Sequence, residues 1–169
     1  MRVGISGHQR LQNPHDWEWV RHEMESCVAS LSQPLVGVTS LAIGADTLFA
    51  EIILNLGGTL EVIVPFSGYE EKFKSDEDRQ TYLSYLARAE RVEVLRRHDT
   101  DEESYYAAGK KVVDLSELVV LCWDGRPAAG LGGTADIARY AQSQRKSTIH
   151  LNSTTRVVTR IESDSATTN

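Results

Sequence analysis

Six short apolar runs alternate with helix-like segments along most of the chain, and this alternation restricts the fold more than any other feature. The runs Arg2 to Ser6, Val36 to Ile43, Leu60 to Pro65, Arg91 to Leu95, Glu117 to Trp123 and Ser147 to Leu151 are of strand length. Between them, Trp17, Val20, Met24, Val28 and Leu31 recur at helical spacing, as do Leu48, Ile52 and Leu56 before Gly57 and Gly58 stop the pattern. Further helices are expected from about Arg79 to Ala89, from about Glu102 to Leu115 behind a Thr100-x-x-Glu103 capping box, and from about Gly133 to Ser143. Strands that alternate with helices build a parallel sheet, because a parallel neighbour is reached only through a crossover. The expected architecture is α/β, with a mainly parallel sheet flanked by helices in three layers.

With 169 residues, 41% of them hydrophobic, the chain is long enough for one well-buried core and short for two domains of ordinary size. Residues 1–151 read as that domain. Residues 152–169, polar and rich in Ser and Thr, read as a flexible tail. The apolar runs fall well short of the ~20 residues that span a bilayer. The N-terminus carries no apolar signal segment, so a cytoplasmic protein without a membrane partner is expected. Cys27 and Cys122 read as reduced core thiols. No metal or cofactor is called for, since the acids lack His or Cys partners at ligand spacing. The formal charge of −6 argues against nucleic acid as a partner, because such binding draws on clustered Lys and Arg. A small anion in a local positive pocket remains compatible with it.

In an open α/β sheet, ligands bind beyond the carboxyl ends of the strands, and three such ends carry unusual residues. The richest is Leu118 to Tyr140, where an apolar strand runs into a glycine loop that opens a helix. Gly130, Gly132 and Gly133 allow positive φ and close approach, and the first N–H groups of a helix starting at Thr134 attract anions. Asp124 and Asp136 flank the loop as acceptors for sugar hydroxyls. At the first strand end, Gly7 permits a tight turn, Ser6 and His8 offer hydrogen bonds, and Arg10 offers a fork for phosphate. At the second, Gly44 permits backbone approach to a ligand, while Asp46 either faces that ligand or caps the following helix. The connection from Phe66 to Asp78 is long, aromatic and charged, and reads either as a binding loop or as a solvated connector.

The segments GISGHQRL, LAIGADTLFAE, VIVPF, YYAAGKKVVD and WDGRPAAGLGGTADIARYA together resemble the SLOG superfamily of Rossmann-like domains over Arg2 to Leu151. That superfamily includes the lonely-guy phosphoribohydrolases and the DNA-processing protein A domain, whose glycine-then-Asp segment is similar to Leu41 to Asp46. Measured against the phosphoribohydrolase pattern, Gly133-Thr134 matches, Ala129 replaces a proline, Leu131 replaces a glycine, and Ile137 stands where the catalytic Glu is expected. Nucleoside deoxyribosyltransferases also place their Glu at the position of Ile137. Asp136, one residue earlier, is turned about 100° away on a helix.

The resemblance implies a domain that binds a nucleotide or an ADP-ribose-like molecule as a sensor. The alternative is an N-glycosidase acting on nucleoside monophosphates, with Asp124, Asp136 and Glu51 as the available acids. A structural subunit with a vestigial pocket is the third reading. The single-stranded DNA binding of the DNA-processing homologue is set aside on the acidic balance, and a homodimer or higher homo-oligomer is implied by the superfamily.

Overall fold

A computed structural model of the protein describes residues 1–127 and 132–163. The described elements, in chain order, are β1 (Arg2–Gly7), α1 (Asp16–Ala29), β2 (Val36–Thr39), α2 (Ala45–Asn55), β3 (Thr59–Val64), α3 (Asp76–Leu86), β4 (Arg91–Val94), α4 (Asp101–Leu115), β5 (Leu118–Cys122), α5 (Thr134–Ser143), β6 (Ser147–Asn152) and β7 (Val157–Ile161). The strands form one sheet in the order β4-β3-β2-β1-β5-β6-β7. Every pairing is parallel except that of β6 with β7. This is the three-layer, Rossmann-like α/β fold that the alternating pattern dictates.

Two apolar layers hold the helices to the sheet. Val20, Met24 and Val28 of α1 and Phe49, Ile52 and Ile53 of α2 pack with Val3, Ile5, Val62 and Val120 on one face. On the other face, Val113 of α4 and Ile137 and Ala141 of α5 meet Val119 and Leu121, while Ala108 and Val112 meet Val38 and Ile63. All five residues of β5 are buried, as a strand covered on both faces requires. At the opposite end of the sheet from the glycine loop, the buried Glu61 carboxylate is bonded by Arg2 and approached by Arg91 at 3.6 Å.

Local signals place the helix starts. Thr100 and Glu103 form both bonds of the capping box, with Glu103 N–H donating to Thr100 Oγ1 at 3.1 Å and Thr100 N–H to Glu103 Oε2 at 3.0 Å. Helix α3 begins at Asp76, a turn before the apolar spacing suggests, because Ser75 accepts from the Asp78 N–H. Strand β2 ends at Thr39, and Leu41 at φ 55° takes the chain out of the sheet. The stretch read as a polar tail contributes a strand: Val157–Ile161 turns back through Asn152, whose side chain accepts from the Thr154 and Thr155 amides, and pairs antiparallel with β6. Its outward face is exposed, which is why its composition resembles that of a tail.

Gly44 and Gly57 both have positive φ, at 88° and 77°, yet only Gly44 is crowded, since a Cβ there would lie 2.4 Å from the Gln9 carbonyl oxygen. Gly57→Ala is therefore expected to cost about 1 kcal/mol, and Gly44→Ala about 3 kcal/mol or more, by urea denaturation. Equal losses would show that the contact with the loop after β1 does not hold the fold.

Candidate functional site

Strands β2 to β4 march away from β1 on one side, and β5 and β6 lie on the other, so the topology switches between β1 and β5. The two chains leaving that point diverge and open a crevice. His8 N–H donates to the Cys122 carbonyl at 2.9 Å, and Ala45 N–H donates to the His8 carbonyl at 3.1 Å, tying the loops after β1, β2 and β5 together. Above them lies a cavity of about 750 Å³. It collects Ser6, Gly7, His8, Arg10, Asp46, Asp124, Gly132, Gly133 and Thr134, nine of the residues singled out in the sequence.

Several of these take parts other than those their spacing suggests. Gly7 is a packing glycine, since a Cβ would fall 2.4 Å from Ala45 Cβ and 2.9 Å from Cys122 Cβ. Gly44 serves the approach of one loop to another, and it lines a shallow groove outside the cavity. Gly132 at φ 86° lies against α4, with a Cβ position 2.9 Å from the Glu102 carbonyl oxygen, whereas Gly133 at φ −72° has ordinary extended backbone and forms the N-cap of α5. Gly130 lies outside the described residues. Asp136 accepts from the Gly132 N–H at 3.0 Å and from Arg139, so it braces the loop and does not line the cavity. Glu51 is held by both guanidinium nitrogens of Arg21 at 2.9 Å beside Trp17 and Tyr85, away from Asp124 and Asp136. The three acids of the glycosidase reading are therefore not brought together.

Asp46 neither caps α2 nor projects freely. It sits inside the first turn, 6% exposed, and its carboxylate accepts from Thr39 Oγ1 at 3.0 Å and from the Ser40 N–H at 3.2 Å. Burial pushes its carboxyl up to about 6, against the pull of the Thr39 hydroxyl and the Ser40 and Ala42 amides. Asp124 behaves in the opposite way. Its own burial would raise it, but the Arg126 amide, the His8 ring at 3.4 Å and the Arg126 guanidinium at 3.8 Å together hold it below the ordinary carboxylate value. It is ionised at neutral pH and poorly suited to donating a proton. Burial pushes the Cys122 thiol up to about 12, which leaves it an uncharged core group.

The Phe66 to Asp78 connection forms one wall and supplies residues that the sequence motifs alone do not single out. Phe66, Tyr69, Phe73, Tyr82 and Tyr105 make one aromatic cluster, with centroid separations from 5.0 to 6.0 Å. Lys72 and Arg97 both reach Asp101, at 2.6 and 2.5 Å, and Arg97 also lies 4.4 Å over the Phe66 ring. The connection is thus a packed wall. It brings Tyr69, Lys72, Phe73 and Lys74 to the cavity, which Tyr105, Trp123 and Arg126 also line. Its density of aromatics was the available signal. In all, Arg10, Lys72, Lys74 and Arg126 line the cavity with Asp46, Asp78 and Asp124, and with Lys72 bound to Asp101 the cationic and acidic side chains are balanced there, on a chain that is acidic as a whole. Among the described residues, no group of three His, Cys, Asp or Glu side chains could hold a metal ion, and no helix is long and apolar enough to cross a membrane.

Comparison with solved structures extends this geometry. The fold is similar to that of DNA processing protein A. The Streptococcus pneumoniae protein matches over 88% of this chain at 14% identity and a TM-score of 0.62. The Helicobacter pylori protein, described by its single-stranded DNA binding mode, matches over 89% at 19% identity and a TM-score of 0.58. The chain spans 49% and 64% of those two proteins. No family model and no curated protein matches it. The coarser part of the resemblance, a Rossmann-like fold similar to that of DNA processing protein A, stands. The readings of a small-molecule nucleotide ligand and of nucleic acid as an excluded partner do not, because a neighbour of this fold binds single-stranded DNA.

Asp46 gives the site a pH signature. Its proton is held more tightly in the native state than in the unfolded chain, so its contribution to stability is full below about pH 4 and is lost as pH rises through about 6. The loss is at most about 3 kcal/mol. Asp46→Asn should flatten urea-denaturation stability across that window, and an unchanged pH profile would place the titration elsewhere.

Proposed function

We propose that this chain is a single-stranded DNA-binding domain that seats part of the strand in the cavity beyond β1, β2 and β5. The observation that carries the reading is the pairing, within one crevice, of cationic side chains with aromatic rings. A strand without a partner presents phosphates on one side and base faces on the other, and binds where a positive groove lies beside stacking platforms. Here Arg10, Lys74 and Arg126 are exposed at the cavity, and Tyr105, Phe73 and Trp123 are only partly covered. The start of α5 at Gly133 and Thr134 adds N–H groups without intrahelical partners.

The fold neighbours support the same class of partner, one of them being described by its single-stranded DNA binding. The cavity floor supports it as well. Ile137, at the position of the phosphoribohydrolase Glu, is 2% exposed and belongs to the apolar layer against Val113 and Leu121. Lonely-guy kinship therefore enters this proposal as kinship of fold, and the setting we propose for the domain is the cytoplasm.

Fluorescence anisotropy with labelled single-stranded oligonucleotides tests the proposal. Saturable binding that weakens steeply with salt is expected, and its absence at low salt for a strand of about 16 nucleotides would overturn the reading. Arg10→Ala and Lys74→Ala should each weaken binding for every sequence and reduce the salt slope by about 0.7. Tyr105→Ala should cost about 1–3 kcal/mol through lost stacking, with little change in salt slope.

A further inference from the structure

A second cavity, of about 620 Å³, lies between α5, β6 and β7 and shares Trp123, Pro127 and Ala135 with the first. The ring of Trp123 stacks on His150 with centroids 5.2 Å apart, and its Nε1–H donates to the Arg126 carbonyl at 2.8 Å, which fixes the ring between the two cavities. Trp123 is only partly buried. Arg139, Arg145 and Lys146 line the second cavity against one acid, Glu162. Arg139 is engaged by Asp136, and Lys146 donates to the carbonyls of Asp114 and Ser116. Arg145 is exposed, and no carboxylate lies within ion-pair distance of it among the described residues.

We infer that a bound single strand does not end in the first cavity but continues past Trp123 into this second groove, where Arg145 and its neighbours take the following phosphates. The inference rests on the single-stranded DNA reading of the first cavity. Two observations carry it further. The two cavities adjoin at Trp123, which lines both, an aromatic ring of the kind on which a base stacks between phosphate contacts. With Arg139 set against Asp136, the groove still has Arg145 and Lys146 to one acid, Glu162, on a chain whose formal charge is −6, so its charge is set apart from that of the whole surface. A polyanion longer than the first cavity fits both features. Strand β7 matters here because its last residue, Ile161, and the two that follow it, Glu162 and Ser163, line this groove.

The test compares oligothymidylates of about 4 and about 16 nucleotides by anisotropy on the full chain, across a salt series. The longer strand is expected to bind more tightly and with a steeper salt slope. Arg145→Glu should weaken the longer strand roughly fivefold and lower its salt slope by about 1, leaving the shorter one unchanged. Gln142→Lys, an exposed change on the rim of the same groove, should strengthen the longer strand alone, a gain that loss of folding cannot produce. Equal affinity and slope for both lengths, with neither variant altering them, would overturn the continuation while leaving the first cavity's reading in place. Failure of the wild-type protein to bind either length would overturn both.

Discussion

Between the end of β1, the end of β5 and the start of α2 there is no room for a side chain at Gly7, and the rest of the site depends on that closeness. The hypothetical Cβ contacts of 2.4 and 2.9 Å mean that any other residue would push β5 or α2 outward. With Gly7 in place, the His8 amide reaches Cys122 and the His8 carbonyl receives the Ala45 amide, so three loops leave the sheet from one fixed origin. The crevice above them follows from topology: the strand order reverses there, and adjacent connections run to opposite sides. A bonded seam below and diverging chains above give a cavity whose floor is rigid and whose walls are set by the loops.

The charge of that cavity is a local quantity, and the formal charge of −6 is a poor guide to it. Charges of both signs are paired within the fold, Glu51 with Arg21, Asp101 with Lys72 and Arg97, Asp136 with Arg139, Asp16 with Arg156 and Glu61 with Arg2, so each acid in these pairs is neutralised locally. Screening over about 8–10 Å further separates the cavity from carboxylates on distant faces. A polyanion meets the groove it touches, and there Arg10, Lys74, Arg126 and Arg145 are exposed. Excluding nucleic acid from an average charge treats the surface as uniform, whereas exposed cations are grouped along these two cavities.

The fold was legible because periodicity and capping act over a few residues: the Thr100 to Glu103 box, the apolar spacing of α1 and α2, and the fully apolar β5 each state their own structure. The strand-end cluster was legible too, since ligand crevices sit at those ends by topology. What escaped was the partner of each polar group. Whether Asp46 turns inward to Thr39, whether Asp136 bonds back to Gly132, and whether Glu51 finds Arg21 depend on side-chain directions that spacing does not encode. Strand β7 escaped for a related reason. It pairs on one edge only and exposes most of its residues, so it lacks the apolar alternation that announces a strand.

Ile137 shows why the position where the phosphoribohydrolase pattern has a Glu is apolar in this fold. Its side chain fills the space left by Gly109 on α4, where a Cβ would stand 2.4 Å from Ile137 Cδ1, so α4 and α5 are in close contact at this pair. A carboxylate at that position would lie in the apolar layer of Val113, Leu121 and Ala141, and an unpaired charge there would cost several kcal/mol. Restoring an acid would therefore require a wider separation of the two helices as well as one substitution. The apolar floor and the glycine loop support one another: the Ile137 to Gly109 contact holds α5 against α4, and Gly132, just before α5, lies against the Glu102 carbonyl of that same α4.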